Sequence, residues 1–145
     1  MPQFDADRML KLVSQMREAV NRLRVLRECE RSVFVRDPDK SGSAKYHLIV
    51  AIESAIDMCN HLISRNGYRA PDDYADTFAV LGEQGAFEQG FLERLKEMAR
   101  FQNRLVHLYW EIDENQVYRI LQERLGDFKV FLDRLATFLN WPELA

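Results

Sequence analysis

The chain has 145 residues, 47% of them hydrophobic and 30% charged, with a formal net charge of −3. That length can bury a core and that composition excludes a disordered polymer, while the acidic balance excludes binding nucleic acid through a global basic field. No run of about 18 uncharged apolar residues, no basic-then-apolar leader, and only Cys29 and Cys59, without CxxC or zinc spacing, together predict one cytoplasmic domain over 1–145, neither membrane-spanning nor held by disulfides.

Met9, Val13, Met16, Val20, Leu23 and Leu26 recur at three- and four-residue steps, so the first helix is long and amphipathic. Asp37-Pro38-Asp39-Lys40-Ser41-Gly42-Ser43 reads as a loop that breaks it. A second helix is predicted from about Ala44 to Asn66, with Leu48, Ile49, Ile52, Ala55, Ile56, Cys59, Leu62 and Ile63 as its apolar face and Gly67 as its C-cap. Pro71-Asp72-Asp73-Tyr74 restarts the chain into a short helix through Leu81, punctuated by Gly82 and Gly85. The next helix runs from about Glu88 to Leu108 on Phe91, Leu95, Met98, Phe101, Leu105 and Leu108. Asp113-Glu114-Asn115-Gln116 is a capping box that opens a last long helix carrying Ile120, Leu121, Leu125, Phe128, Phe131, Leu132, Leu135, Phe138 and Leu139. Strand patterns are missing. Four long helices and one short helix predict an all-α, up-down bundle.

The chemistry concentrates between Met98 and Asp113. Arg100, Arg104 and His107 stand at i, i+4 and i+7 and line one helical face. Two guanidinium groups fork onto phosphate oxygens, and an imidazole titrates near neutrality, so the face can hold a phosphodiester and move protons on it without a metal or cofactor. The same residues also suit a plain helix end, where cations complement the dipole. Tyr109 can be read as a half-buried interface residue with a wet hydroxyl. Asp57 and His61 stand at i, i+4, which suits a surface pair and, alternatively, support of the site. Phe128, Phe131 and Phe138 supply more apolar bulk than a small bundle readily buries, which predicts a homodimer.

The segment Asn103 to Asp113 resembles the signature of HepT-like proteins, the toxin halves of HepT/MntA toxin–antitoxin systems within the HEPN superfamily of helical ribonucleases. The resemblance extends to Tyr46 through His61, with Glu53, Asp57 and His61 in register, to Pro71 through Tyr74, to Phe78 through Leu81, and to Glu93 through Leu95. It implies a HEPN-like bundle that dimerises and cleaves RNA as a metal-independent endoribonuclease. It also implies an MntA-like nucleotidyltransferase antitoxin that silences the toxin by adding AMP to Tyr109. Asn103, His107 and Tyr109 fit the family pattern Arg-Asn-x-x-x-His-x-Tyr, but Gln102 fills the arginine position. On this resemblance His107 is the general acid/base, Asn103 orients the phosphate or the imidazole, and Arg100 or Arg104 takes the missing charge. Gln102 serves as an uncharged phosphate donor. The competing readings are a disabled HEPN scaffold that binds a nucleotidyltransferase, and a helical dimer with no toxin role.

Overall fold

Asp5 caps the first helix, α1 (Ala6–Arg27), by accepting the Arg8 N–H at 3.2 Å. In this computed structural model, which describes all 145 residues, α1 buries Met9, Leu12, Val13, Met16, Ala19, Val20 and Leu23. That stripe packs along α3 (Pro38–Asn66), the longest helix. Between them the chain forms α2 (Arg31–Arg36), whose Phe34 is fully buried with its ring 5.3 Å from that of Tyr118.

The loop expected over 37–43 is a helix start instead. Asp37 accepts the Asp39 N–H at 2.9 Å, and Pro38 occupies the first turn, where its missing N–H costs nothing. Ser41 and Ala44 then already face the core. Gly67 ends α3 in the left-handed conformation, with φ 65°, as its sequence position predicts.

Asp73 caps α4 (Tyr74–Glu83) through the Asp76 N–H, and Gly85, at φ 90°, makes the turn towards α5 (Gln89–His107). Gly82 is no punctuation mark. It lies inside α4, and a Cβ there would stand 2.8 Å from Leu92 Cδ2. Its bare backbone lets α4 and α5 approach closely. On α5, Phe91, Leu95, Phe101 and Leu105 are buried as their spacing predicts and Leu92, Ala99 and Gln102 join them, while the expected core residues Met98 and Leu108 are half-buried and exposed, Leu108 lying just past the helix end.

A 3₁₀ turn (Tyr109–Glu111) follows, and then two helices in place of the single one expected. Those are α6 (Glu114–Glu123) and α7 (Gly126–Leu139). At the break, Asp127 N–H donates to the Arg124 carbonyl and Phe128 N–H to the Leu125 carbonyl, a tightened i, i+3 pattern that lets the chain change direction at low-propensity Gly126. Asp113 caps α6 through the Asn115 N–H at 3.0 Å, but Gln116 does not complete the box, since its Oε1 faces Arg104. A short 3₁₀ turn (Pro142–Leu144) closes the chain.

The bundle is all-α, and its buried hydrophobic residues form one continuous core. Phe128 and Phe131 belong to that core, with Phe131 against Phe78 and Phe87, and Phe138 is half-buried. Phe128 and Phe131 are therefore spent within the monomer, while Phe138 keeps part of its ring in solvent. Cys59 is buried in α3 and its thiol pKa is pushed up by burial; Cys29, expected in a helix, is half-buried in the turn after α1. No helix is long and apolar enough to cross a membrane.

Candidate active site at the end of the motif helix

The last two turns of α5 present Arg100, Asn103, Arg104 and His107 to solvent, because the opposite side carries Phe101, Gln102 and Leu105 into the core. The predicted polar stripe is therefore real. Arg100, Asn103 and Arg104 share a shallow cavity of about 310 Å³ with Asp73, Tyr74 and Ala75 at the start of α4. His107 is the final residue of α5, where Leu108 N–H donates to the Arg104 carbonyl at 2.7 Å.

Several arginines of the bundle are neutralised. Arg94 pairs with Asp127, Arg69 with Asp76 and Glu83, Arg134 with Glu88, and Arg124 with Glu97. Neither Arg100 nor Arg104 is in an ion pair; Arg104 only reaches Gln116 Oε1 at 3.5 Å. Two uncommitted guanidinium groups one turn apart repel weakly, and an anion between them would relieve that repulsion.

Gln102 is placed differently from its expected role. It is 0% exposed and turned towards α3, where its amide donates to the Ile49 carbonyl at 3.2 Å and to Glu53 Oε2 at 3.1 Å. Its Oε1 is buried without a hydrogen-bond partner. The two acceptors fix the amide orientation, because the flipped form would set oxygen against oxygen. Gln102 thus cannot donate to a phosphate on the exposed stripe.

The α3 residues also rearrange the expectation. Glu53 is taken by Gln102, and His61 does not pair with Asp57. Its Nε2 accepts the Asp5 N–H at 2.9 Å, tying the start of α1 to α3. Burial, together with the charge of Arg65, pulls the His61 pKa below the usual imidazole value. Burial and the neighbouring Glu53 charge raise that of Asp57, against a smaller pull from Arg8. No three His, Cys, Asp or Glu side chains are grouped closely enough to hold a metal ion.

Tyr109 is 40% exposed on the 3₁₀ turn, with its ring face 4.8 Å from the Nζ of Lys45. Lys45 was not legible as a site residue. It is 6% exposed, and its ammonium donates to Glu114 Oε1 at 2.9 Å. That hydrogen bond holds the Glu114 carboxyl below its usual range. Around this cluster an apolar rim stands in solvent: Val106, Leu108, Tyr46 and, most of all, Trp110 at 77% exposure.

Residues 16–135 match the ribonuclease HepT-like family model, and the chain belongs to that family. It is 26% identical over 123 residues to the mRNA nuclease HepT of Shewanella oneidensis, a match covering 79% of this chain and 92% of that protein. A candidate RNase of Archaeoglobus fulgidus is 30% identical over 106 residues, covering 73% and 80%. Among solved structures, the tri-AMPylated Shewanella oneidensis HEPN toxin in complex with MNT antitoxin superposes with a TM-score of 0.82 at 24% identity, over 90% of this chain and 98% of that one. The Bacillus subtilis cytosolic protein YutE, of unknown function, gives 0.80 at 18% identity over 97% and 94%. These likenesses establish the HEPN fold.

Proposed function

We propose that this chain is the toxin of a HepT/MntA-type pair: a homodimeric, metal-independent endoribonuclease silenced when a nucleotidyltransferase antitoxin transfers AMP to Tyr109. The observation that carries the reading is the pair of unneutralised arginines, Arg100 and Arg104, on the same exposed face as His107 in a HepT-like ribonuclease. Arg100 and Arg104 hold the scissile phosphate and stabilise the charge of the phosphorane. His107 accepts the ribose 2′-hydroxyl proton as O2′ attacks phosphorus. The bond to O5′ breaks, and an imidazolium, supplied by the facing motif helix of the dimer, protonates the leaving oxygen. The products are a 2′,3′-cyclic phosphate and a 5′-hydroxyl. Asn103 orients the phosphate. The dimer forms on the rim around Trp110, which places two cationic stripes in one cleft of an otherwise acidic protein.

The test is cleavage of single-stranded RNA in EDTA by the wild-type protein and by His107→Ala. The variant folds, losing at most about 1 kcal/mol because His107 is an exposed helix-end residue, and it does not cleave. Cleavage by His107→Ala at the wild-type rate would make His107 a helix cap and end this mechanism. A second reading, a scaffold whose site is disabled, draws on the neutral, buried Gln102 at the motif arginine position. It predicts a silent wild type that still binds its nucleotidyltransferase.

A further inference from the structure

We infer that Lys45 is a positioning residue for Tyr109, holding the phenol ring so that its hydroxyl faces an incoming nucleotide; this rests on Tyr109 being the AMP acceptor. A lysine at 6% exposure is unusual, since long cationic side chains normally keep their heads in water. Its ion pair with Glu114, at 2.9 Å, is not by itself a reason for burial, because a buried pair gains little over apolar packing of the same volume. The rest of its environment supplies the reason. The ammonium stands 4.8 Å from the Tyr109 ring centroid, and among the chain's five tyrosines only Tyr109 has such a cation over its face.

Tyr109 needs that hold. It starts a three-residue turn outside the hydrogen-bonding ladder of α5, closed only by Glu111 N–H to the Leu108 carbonyl and Ile112 N–H to the Tyr109 carbonyl. Lys45 joins the turn to two rigid elements at once, α3 through its own backbone and the first turn of α6 through Glu114. The attraction of an ammonium for the face of an aromatic ring restrains the ring plane, and Tyr109 held in that plane is still 40% exposed. In the transfer, the phenol oxygen attacks the α-phosphorus of ATP. The new O–P bond forms as the bond to pyrophosphate breaks; pyrophosphate leaves, and the phenolic proton passes to solvent or to a base of the transferase. The same ammonium favours negative charge as it grows on the phenol oxygen. Orientation and charge both act after the two proteins have met, so the effect belongs in kcat.

The experiment incubates wild type, Lys45→Met and Lys45→Arg with purified nucleotidyltransferase antitoxin and ATP, and follows AMP on each tyrosine by mass spectrometry. Lys45→Met lowers kcat for transfer roughly threefold to thirtyfold, as loss of a partly desolvated cation–π contact implies. KM for the toxin stays within about twofold, and Lys45→Arg, which keeps a cation over the ring, restores most of the rate. If circular dichroism shows Lys45→Met unfolded by the stranded carboxylate, the double variant Lys45→Met/Glu114→Leu replaces it. Equal rates for Met and wild type, a change confined to KM, or no rescue by Arg each overturn the inference while leaving Tyr109 as acceptor. A wild type that takes no AMP on Tyr109 overturns the underlying reading, and the positioning role with it.

Discussion

Replacing Gln102 by Arg is the sharpest test of the site, because it restores the charge that the family pattern places there, at a position the structure shows to be fully buried. The amide already points two donors at two acceptors, the Ile49 carbonyl at 3.2 Å and Glu53 Oε2 at 3.1 Å. A guanidinium entering along the same path meets both. Its hydrogen bond to the Glu53 carboxylate is charge-assisted, worth about 1.5–3 kcal/mol, against a desolvation cost of several kcal/mol for a buried ion. Glu53 is only half-buried, which lowers that cost, and the substitution also removes the orphaned Oε1, whose burial costs about 1–3 kcal/mol. The opposing terms nearly cancel, so stability should change by less than about 2 kcal/mol, or under about 8 °C in Tm. Activity should change by no more than about twofold, because a guanidinium held by the Ile49 carbonyl and Glu53 lies on the buried side of α5, away from the exposed Arg100, Arg104 and His107. The assay is the initial rate of cleavage of a fluorophore-labelled RNA in EDTA, with melting followed on the same samples. A folded Gln102→Arg variant that cleaves roughly tenfold or more faster than wild type refutes the reasoning, whereas loss of cleavage in Arg100→Ala shows that the charge is already supplied from Arg100.

Wild-type protein at micromolar concentration should scatter as twice 17.1 kDa, and Trp110→Ser should shift it towards 17.1 kDa; a wild-type monomer removes the composite cleft. Tyr109→Phe should keep cleavage within about twofold of wild type, since the ring still packs on Lys45, yet escape silencing by the nucleotidyltransferase with ATP; continued AMP transfer to the Phe variant would move the acceptor elsewhere. The lowered pKa of His61 gives a pH signature. The folded state keeps His61 neutral as an acceptor for the Asp5 N–H, so its stabilisation is present above the ordinary value near 6.5 and is lost as pH falls through that value towards the depressed folded pKa. Urea midpoints measured at pH 7.5 and 5.5 should therefore drop for wild type and less for His61→Gln; parallel slopes would show that His61 is not the titrating group.

The elements that could be read from sequence were those whose signals are local. Asp73, Asp113 and Gly67 act where a cap or a left-handed residue must act, and the exposed stripe of Arg100, Arg104 and His107 follows from helical periodicity alone. What failed depends on a partner distant in sequence. Asp37-Pro38 is a loop signal and a helix-start signal at once, and only burial of Ser41 and Ala44 against the bundle selects the second. Gly82 on α4 takes Leu92 of α5 against its bare backbone, a contact no periodicity contains. Lys45 meets Glu114 across 69 positions, a pairing no local pattern contains. His61 finds the backbone of Asp5 rather than the carboxylate four residues before it, because α1 begins beside it.

The charge pattern bears on how an acidic chain can present a cationic face. The amide of Gln102 engages Glu53 on α3, and burial and that same carboxylate raise the pKa of Asp57 one turn on. Arg94 on α5 is neutralised by Asp127, which leaves Arg100 and Arg104 as the arginines of α5 in no ion pair. In a chain of net charge −3, the one imidazole of α5 thus stands on the same exposed face as two uncommitted cations. A polyanion is attracted there despite the net charge, because screening confines the competing carboxylates to within about 8–10 Å of their own positions.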